Sequence, residues 1–199
     1  MNRRTLGCLF ELAETFLLTL LIFLVVQLFV AQPYQVQQSS MEDTLTPGEY
    51  VLVDKLTPNF DDYHRSDIVV FNPPAGWTQE STAPYIKRVI GIGGDTVDIH
   101  DGRVYLNGSV LSEPYVHEGE STDVPGSSGK TWKLAPGQLY VMGDHRHQSL
   151  DSRDFGPIER STVIGRAWLR YWPTDKFGLI PQAKEKPAPS GSPAPSTTP

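Results

Sequence analysis

The sequence has little cysteine and no excess of positive charge. Cys8 is its one cysteine, so an internal disulfide is excluded and a folded domain must depend on its apolar core. Lys and Arg number 17 against 23 Asp and Glu, which gives a formal net charge of −6. Because nucleic-acid binding needs a basic surface, this balance argues against a nucleic-acid partner.

Helical periodicity is missing from the chain after residue 31, where short β-type runs alternate with turns rich in Gly and Pro. Asp101-Gly102 is typical of a type I′ hairpin turn, and Asn107-Gly108 marks a second turn. We therefore expect an all-β fold of antiparallel sheets over residues 32–182. The predicted strands are residues 50–54, 67–71, 85–92, 96–100, 103–106, 139–142 and 163–172. Residues 183–199 are mostly Pro, Ala, Ser and Thr, a composition that predicts disorder.

One long apolar run is present, residues 12–31, with the sequence LAETFLLTLLIFLVVQLFVA. A helix of roughly 20 residues spans a bilayer, so the run predicts a transmembrane anchor with lipid as a partner. Arg3 and Arg4 precede it and no Lys or Arg follows before Lys55. This bias predicts a single-pass plasma-membrane protein with residues 1–11 in the cytoplasm and residues 32–182 outside it.

Two other interpretations of the apolar run remain open. A cleaved signal peptide would end at a small residue such as Ala31, but the large Phe29 occupies the other position where a small residue is expected. A buried core helix is less compatible with the strands that follow, because they would not enclose it.

Lys87 is a candidate for proton transfer. In an extended strand it shares a face with Tyr85 and Val89, and burial of that face would lower the pKa of the amine. A neutral lysine can accept the proton of a serine hydroxyl. The alternative is a solvated lysine on an exposed strand.

Ser40 is a candidate nucleophile because it follows the apolar run by nine residues. That position holds it near the membrane surface, where a tethered substrate would present its scissile bond. The alternative is a loop serine that caps a turn.

Residues 143–153 follow an apolar strand and carry several charges, so Asp144 could pair with Arg88; a polar surface loop is the alternative. His145 and His147 allow two further hypotheses. One is a Ser–His–Asp triad with Asp144 or Asp151. The other is a His-x-His metal site, which lacks a second ligand cluster, so neither metal nor cofactor is predicted.

Taken together, these segments resemble the type I signal peptidases, the serine proteases of family S26. The chain is similar to the family boxes Ser-Met-x-Pro-Thr-Leu, Gly-Asp-Ile-Val-Val-Phe and Gly-Asp-Asn-x-x-x-Ser-x-Asp-Ser-Arg, and to the lysine box. The matching positions are Ser40-Met41 with Thr44-Leu45, residues 66–71, residues 85–91 with Gly94-Asp95, and residues 143–153.

The resemblance implies a membrane-bound protease that cuts signal peptides from exported preproteins after small residues. Ser40 would be the nucleophile, Lys87 the general base, and Ser149 the group that orients the Lys87 amine. Asp144 would pair with Arg88 and Asp151 with Arg153, while the Ser40 N–H would line the oxyanion hole. The implied substrate-binding residues are Tyr34, Val36, Gln38, Met41, Leu45, Tyr85 and Ile86.

Four positions depart from the family boxes. Asp43 stands where the family has proline, Gln38 where some members have Ser or Gly, and His145 and His147 replace residues that are often Asn and Asp. These departures motivate a second hypothesis, an inactive anchored β domain that binds exported proteins. An autocleaving Ser–Lys regulator is a third, although the N-terminus offers an anchor rather than DNA-binding helices.

Overall fold

The first element is an apolar helix. In the computed structural model, which describes residues 3–77, 83–117 and 119–181, helix α1 spans Arg3–Val25 and a π-helical segment, Val26–Val30, continues it. The window Phe10–Val30 has a mean hydropathy of 2.3 and none of it is buried. This length and exposure suit a single membrane span and argue against a buried core helix. Ala31, predicted as the last anchor residue, instead begins the first strand.

The rest of the described chain is built from antiparallel strands, as predicted. The strands are β1 (Ala31–Gln35), β2 (Tyr50–Asp54), β3 (Ile68–Phe71), β4 (Tyr85–Ile92), β5 (Thr96–His100), β6 (Arg103–Leu106), β7 (Ser109–Val110), β8 (Gly129–Lys133), β9 (Gln138–Met142), β10 (Ile158–Glu159), β11 (Val163–Trp172) and β12 (Gly178–Leu179). A four-residue helix, α2 (Ser152–Phe155), lies between β9 and β10. The predicted tail, residues 183–199, lies outside the described residues.

These strands form two sheets. The larger has the order β1-β2-β11-β3-β4-β9-β10, with β12 added to β11, and the smaller has the order β7-β6-β5-β8. The chain passes from one sheet to the other at the turn between β4 and β5, where Gly94 adopts a φ of +95°. The glycines around this turn therefore join two strands, rather than a strand and a helix as a dinucleotide loop would require.

Strand β3 lies in the middle of the larger sheet and is buried on both faces. Its residues alternate between two apolar clusters, with Ile68 and Val70 in one and Val69 and Phe71 in the other. Val69 is directly opposite Lys87 of β4. The register of this central strand pair therefore places the Lys87 side chain on a buried face of the sheet.

Both predicted hairpin turns are present. Asp101 and Gly102 have φ values of 51° and 71°, and Asn107 and Gly108 have values of 53° and 81°. Positive φ at both central residues is what a type I′ turn requires.

Candidate active site

The Ser40 and Lys87 side chains are in direct contact. Lys87 Nζ donates a hydrogen bond to Ser40 Oγ over 2.6 Å, although 47 residues separate the two positions. Strand β4 presents the lysine, and a short 3-10 helix, Ser39–Met41, presents the serine. The structure thus brings the two predicted site residues within proton-transfer distance.

The Lys87 amine is removed from water. The residue is 1% exposed, and the Tyr85 ring lies 5.5 Å from its nitrogen. Burial lowers the pKa of Lys87 from 10.5 to about 8, and the nearby Asp151 and Asp144 offset part of this effect. Desolvation has this effect because it disfavours the charged form of the amine. Since Lys87 is buried, the alternative of a solvated lysine on an exposed strand is wrong.

Residues 39–45, here called the serine turn, are fixed by packing against the core and by a backbone hydrogen bond. Met41 and Leu45 are fully buried in the apolar cluster under the turn. The Ser40 carbonyl accepts a hydrogen bond from the His145 N–H over 3.1 Å. A Cβ at Gly143 would collide with that same carbonyl oxygen and with Ser149 Oγ, so only glycine permits this close approach.

Arg88 and Asp144 form a buried ion pair beside the serine turn. Arg88 donates from Nε and Nη2 to the two carboxylate oxygens over 2.8 and 2.6 Å. Thr44 of the serine turn donates to Asp144 Oδ2 over 2.6 Å, and the Tyr115 ring lies 4.0 Å from the guanidinium carbon. The pair therefore connects β4 to the turn that carries Ser40.

A second buried pair joins Asp151 and Arg153, and Asp151 also caps the N-terminus of α2. Burial alone would raise the pKa of Asp151, but the Arg153 guanidinium, the Ser149 hydroxyl and the Gly143 N–H hold it below its usual range. The Ser149 hydroxyl donates to Asp151 Oδ2 over 2.6 Å. The Ser149 hydroxyl thus donates to a carboxylate while Lys87 Nζ donates to Ser40, and the hydrogen bond between Ser149 and Lys87 stays a prediction.

Two cavities share Gln37, Gln38 and Tyr85, and Ser40 lines the first of them. This first cavity has a volume of about 460 Å³, and its walls are Gln37, Gln38, Ser39, Ser40, Pro47, Tyr85, Gln148 and Leu150. The other has a volume of about 180 Å³, and the predicted residues Tyr34, Val36, Gln38, Tyr85 and Ile86 all line it. Sequence analysis did not predict five residues of the larger cavity, and two of these, Gln148 and Leu150, occupy variable positions of the box at residues 143–153; the five are Gln37, Ser39, Pro47, Gln148 and Leu150.

The prediction that Met41 and Leu45 contact substrate needs correction. Both are 0% exposed and line neither cavity. Their side chains point into the core beneath the serine turn, where they support the site without reaching its surface.

The histidines near the site contact carboxylates rather than Ser40. His145 Nε2 lies 3.0 Å from Glu120, and its Nδ1 lies 3.4 Å from Glu42. Ser40 meets His145 only through the backbone, so the structure does not form the triad considered above. Within the described part of the chain, no three His, Cys, Asp or Glu side chains are arranged to hold a metal ion.

Comparison with known proteins identifies a family for the chain. The family model described as signal peptidase, peptidase S26, matches residues 9–172. The chain is 33% identical over 184 residues to the probable signal peptidase I-2 of Synechocystis sp., covering 92% of this chain and 82% of that protein. It is 34% identical over 175 residues to signal peptidase I of Leptolyngbya laminosa (86% and 84%). It is 33% identical over 176 residues to signal peptidase I of Bacillus licheniformis (85% and 91%).

Proposed function

Because the chain belongs to the signal peptidase family, peptidase S26, we propose that it is a membrane-anchored serine endopeptidase that removes signal peptides from exported preproteins. Ser40 is the nucleophile and Lys87 the general base. The observation that carries the proposal is the 2.6 Å contact between a serine hydroxyl and a buried amine whose pKa is lowered to about 8. An inactive binding domain gives no reason to keep this amine out of water.

Acylation begins when the neutral Lys87 amine accepts the Ser40 hydroxyl proton as Oγ attacks the scissile carbonyl carbon. The tetrahedral intermediate collapses when the peptide C–N bond breaks. The Lys87 ammonium then gives its proton to the leaving amine, and the signal peptide remains as an ester on Ser40. General acid–base catalysis of this kind contributes about 10²- to 10⁴-fold in rate.

The developing oxyanion needs donors aimed at it. The Ser40 N–H is the first of these, because it sits on the nucleophile itself. Gln38 borders both cavities beside Ser40, and its side-chain amide is the second donor in this proposal. One such donor typically contributes about 10²- to 10³-fold in rate.

Deacylation uses the same pair of groups in reverse. A water molecule attacks the ester carbonyl and gives its proton to the Lys87 amine. The carbon–Oγ bond then breaks, and the ammonium returns the proton to Ser40. The products are the free signal peptide and the mature protein, and the enzyme is regenerated with no net gain or loss of protons.

The smaller cavity supports a preference for small side chains before the cut. Its volume is about 180 Å³, and the aromatic and branched side chains that line it include Tyr34, Val36 and Ile86. Hydrophobic pockets discriminate through the methylenes they can accommodate, each worth about 1–3 kcal/mol.

Replacing Ile86 by Ala is expected to relax this preference. The shorter side chain enlarges the smaller cavity, so the penalty for a bulky residue before the cut should fall by about tenfold relative to Ala. The measurement compares kcat/KM on peptides that differ only at that residue. Ile92→Ala on the same strand, outside both cavities, is the matched control and should keep the wild-type ratio. Equal discrimination in wild type and Ile86→Ala would contradict the assignment.

The membrane helix supports a location next to the bilayer. The apolar window ends at Val30, β1 begins at Ala31, and Ser40 follows within ten residues. In this proposal, Arg3 and Arg4 retain the N-terminus in the cytoplasm and the β body lies outside it. A signal peptide held in the same bilayer then presents its cleavage region at the height of the serine turn.

The pH dependence of cleavage tests the proposed function. The active form carries a neutral Lys87, so kcat/KM is expected to fall about tenfold per pH unit well below pH 8 and to level off above it. The assay is cleavage of a signal-peptide precursor by the full chain in detergent micelles between pH 5 and 10. A rate that does not change across this range would contradict the role of Lys87.

A further inference from the structure

Asp43 adopts an uncommon backbone conformation close to the nucleophile. Its φ is 78°, in the left-handed region that residues other than glycine occupy only when their surroundings hold them there. The residue lies in the serine turn, three positions after Ser40. On either side of it, Glu42 N–H donates to the Ser39 carbonyl and Thr44 N–H to the Met41 carbonyl. The conformation of Asp43 therefore sets the path of the turn that positions Ser40.

His117 is the side chain that holds Asp43 from outside the turn. Its Nδ1 lies 2.6 Å from Asp43 Oδ2, across 74 residues of sequence. The His117 N–H also donates to the Asp144 carbonyl over 3.4 Å, and its ring stacks on His145 with centroids 5.1 Å apart. Because the His145 N–H binds the Ser40 carbonyl, His117 is attached both to the serine turn and to the 143–153 segment that contacts it.

The groups around His117 are mostly acidic. Asp43 and Glu42 face it from the serine turn, Glu120 from its own loop, and the His145 ring from the 143–153 segment. The hydrogen bond that the His117 ring donates to the Asp43 carboxylate, aided by the charges of Asp43, Glu120 and Glu42, raises the pKa of His117 above 6.5. The attraction is therefore complete below pH 6.5 and weakens as pH rises through the higher value of the folded protein.

Resting on the function proposed above, we infer that His117 is a positioning residue that clasps Asp43, holds Ser40 against Lys87, and loosens this hold as pH rises. The productive 2.6 Å contact between Ser40 and Lys87 occurs with the clasp formed. His117 lines neither cavity, so the clasp acts on kcat and not on KM. In the wild type, it adds to the rate in the acid range, where little of Lys87 is neutral.

The first test compares kcat and KM of wild type and His117→Ala from pH 6 to 9.5, with a signal-peptide precursor and the full chain in micelles. Both side chains are about half exposed, so the pair is screened and the expected effect is modest, about two- to fivefold. We expect kcat of the variant to be lower by this factor at pH 6 and to approach the wild-type value at pH 9.5, with KM unchanged.

Two further variants separate the clasp from a general loss of structure. Asp43→Asn tolerates a positive φ but removes the charge, so it should reproduce the pH-dependent loss. His117→Gln retains an amide donor without titrating, so its kcat should exceed that of His117→Ala by the same factor at pH 6 and at pH 9.5. His100→Ala is the control, since His100 also lies 3.0 Å from a carboxylate, that of Asp101, but on the β5–β6 turn. A loss that is the same at pH 6 and 9.5 would overturn the inference.

A second test does not depend on activity. The titration of the histidine rings is followed by NMR in the full chain carrying Ser40→Ala, with and without Asp43→Asn. We expect His117 to titrate above pH 6.5 and to shift to lower pH with Asp43→Asn. An unchanged His117 titration would overturn the clasp. If the wild type cleaves no precursor but His117 shifts as expected, the proposed function fails while the pairing stands.

Discussion

Replacing Ser40 by Ala or Lys87 by Met is expected to abolish detectable cleavage of a signal-peptide precursor. Ser40→Ala removes the oxygen that forms the ester, and Lys87→Met removes the group that carries every proton in the cycle. Loss of the base alone corresponds to about 10²- to 10⁴-fold in rate. The measurement is single-turnover cleavage by purified full-length variants in micelles, with the fraction processed determined over several hours.

The controls keep residue type and change location. Ser109→Ala on β7 and Lys133→Met on β8 alter exposed side chains of the smaller sheet, so both should process the precursor at the wild-type rate. If Ser40→Ala and Lys87→Met also matched the wild type, the Ser–Lys assignment would be wrong. Such a result would favour the hypothesis of an inactive anchored domain that binds exported proteins.

Lys87→Met is also expected to raise the free energy of unfolding at pH 7, whereas a variant with a damaged fold would lower it. The displacement of the pKa from 10.5 to about 8 means that folding disfavours the charged amine by about 3 kcal/mol at neutral pH. This penalty is full below pH 8 and disappears as pH rises to 10.5, since the unfolded chain holds the proton more tightly. The variant should therefore be more stable than wild type at pH 7, by an amount approaching this figure.

Removing one partner of the Arg88–Asp144 pair should produce the largest loss of stability. Arg88 is 1% exposed and Asp144 is 0% exposed, so either single substitution leaves a buried charge without compensation. Such changes typically reduce the free energy of unfolding by about 3–5 kcal/mol. Arg88→Met and Asp144→Leu are both expected to fall in this range, measured by urea unfolding at pH 7.

The double variant, Arg88→Met with Asp144→Leu, distinguishes pairing from general packing. Replacing both charges removes the uncompensated group, so the double variant should be more stable than either single variant. Losses that simply add would contradict a paired role. Because Thr44 of the serine turn is hydrogen-bonded to both Asp144 and Arg88, cleavage should fall in all three variants, including the double variant.

The strands that the sequence predicted and those it missed differ in position. The predicted strands correspond to β2, β3, β4, β5, β6, β9 and β11. Each missed strand (β1, β7, β8, β10 and β12) is hydrogen-bonded to one neighbour only. Edge strands tolerate proline, lysine and glycine, as in Ala31–Gln35 and Gly129–Lys133, so they lack the β-branched alternation that identifies interior strands.

The part of the site that could be predicted from sequence is the part that depends on the alternation of side chains along a strand. Alternation placed Lys87 with Tyr85 and Val89, and the structure buries that face. The hydrogen bond of the Ser149 hydroxyl was not predicted, although its acceptor, the Asp151 carboxylate, is only two residues further along the chain. The burial of Met41 and Leu45 was not predicted either, because it depends on how the serine turn folds over the core.

Asp43 shows how a single departure can change local geometry. The resemblance places a proline at this position, but a φ of 78° is inaccessible to proline, whose ring fixes φ near −65°. The serine turn of this chain therefore follows a path that a proline would not allow. Sequence comparison identifies the substitution, whereas its consequence for the backbone is visible only in the structure.

Direct titration of the Lys87 amine tests the central claim. NMR of lysine labelled beside Nζ, in the full chain carrying Ser40→Ala and with Lys87→Met to assign the resonance, reports its protonation without relying on catalysis. We expect a midpoint at about pH 8. A midpoint at 10.5, the ordinary value for lysine, would leave almost none of the amine in its neutral form near neutral pH and would contradict its role as the base.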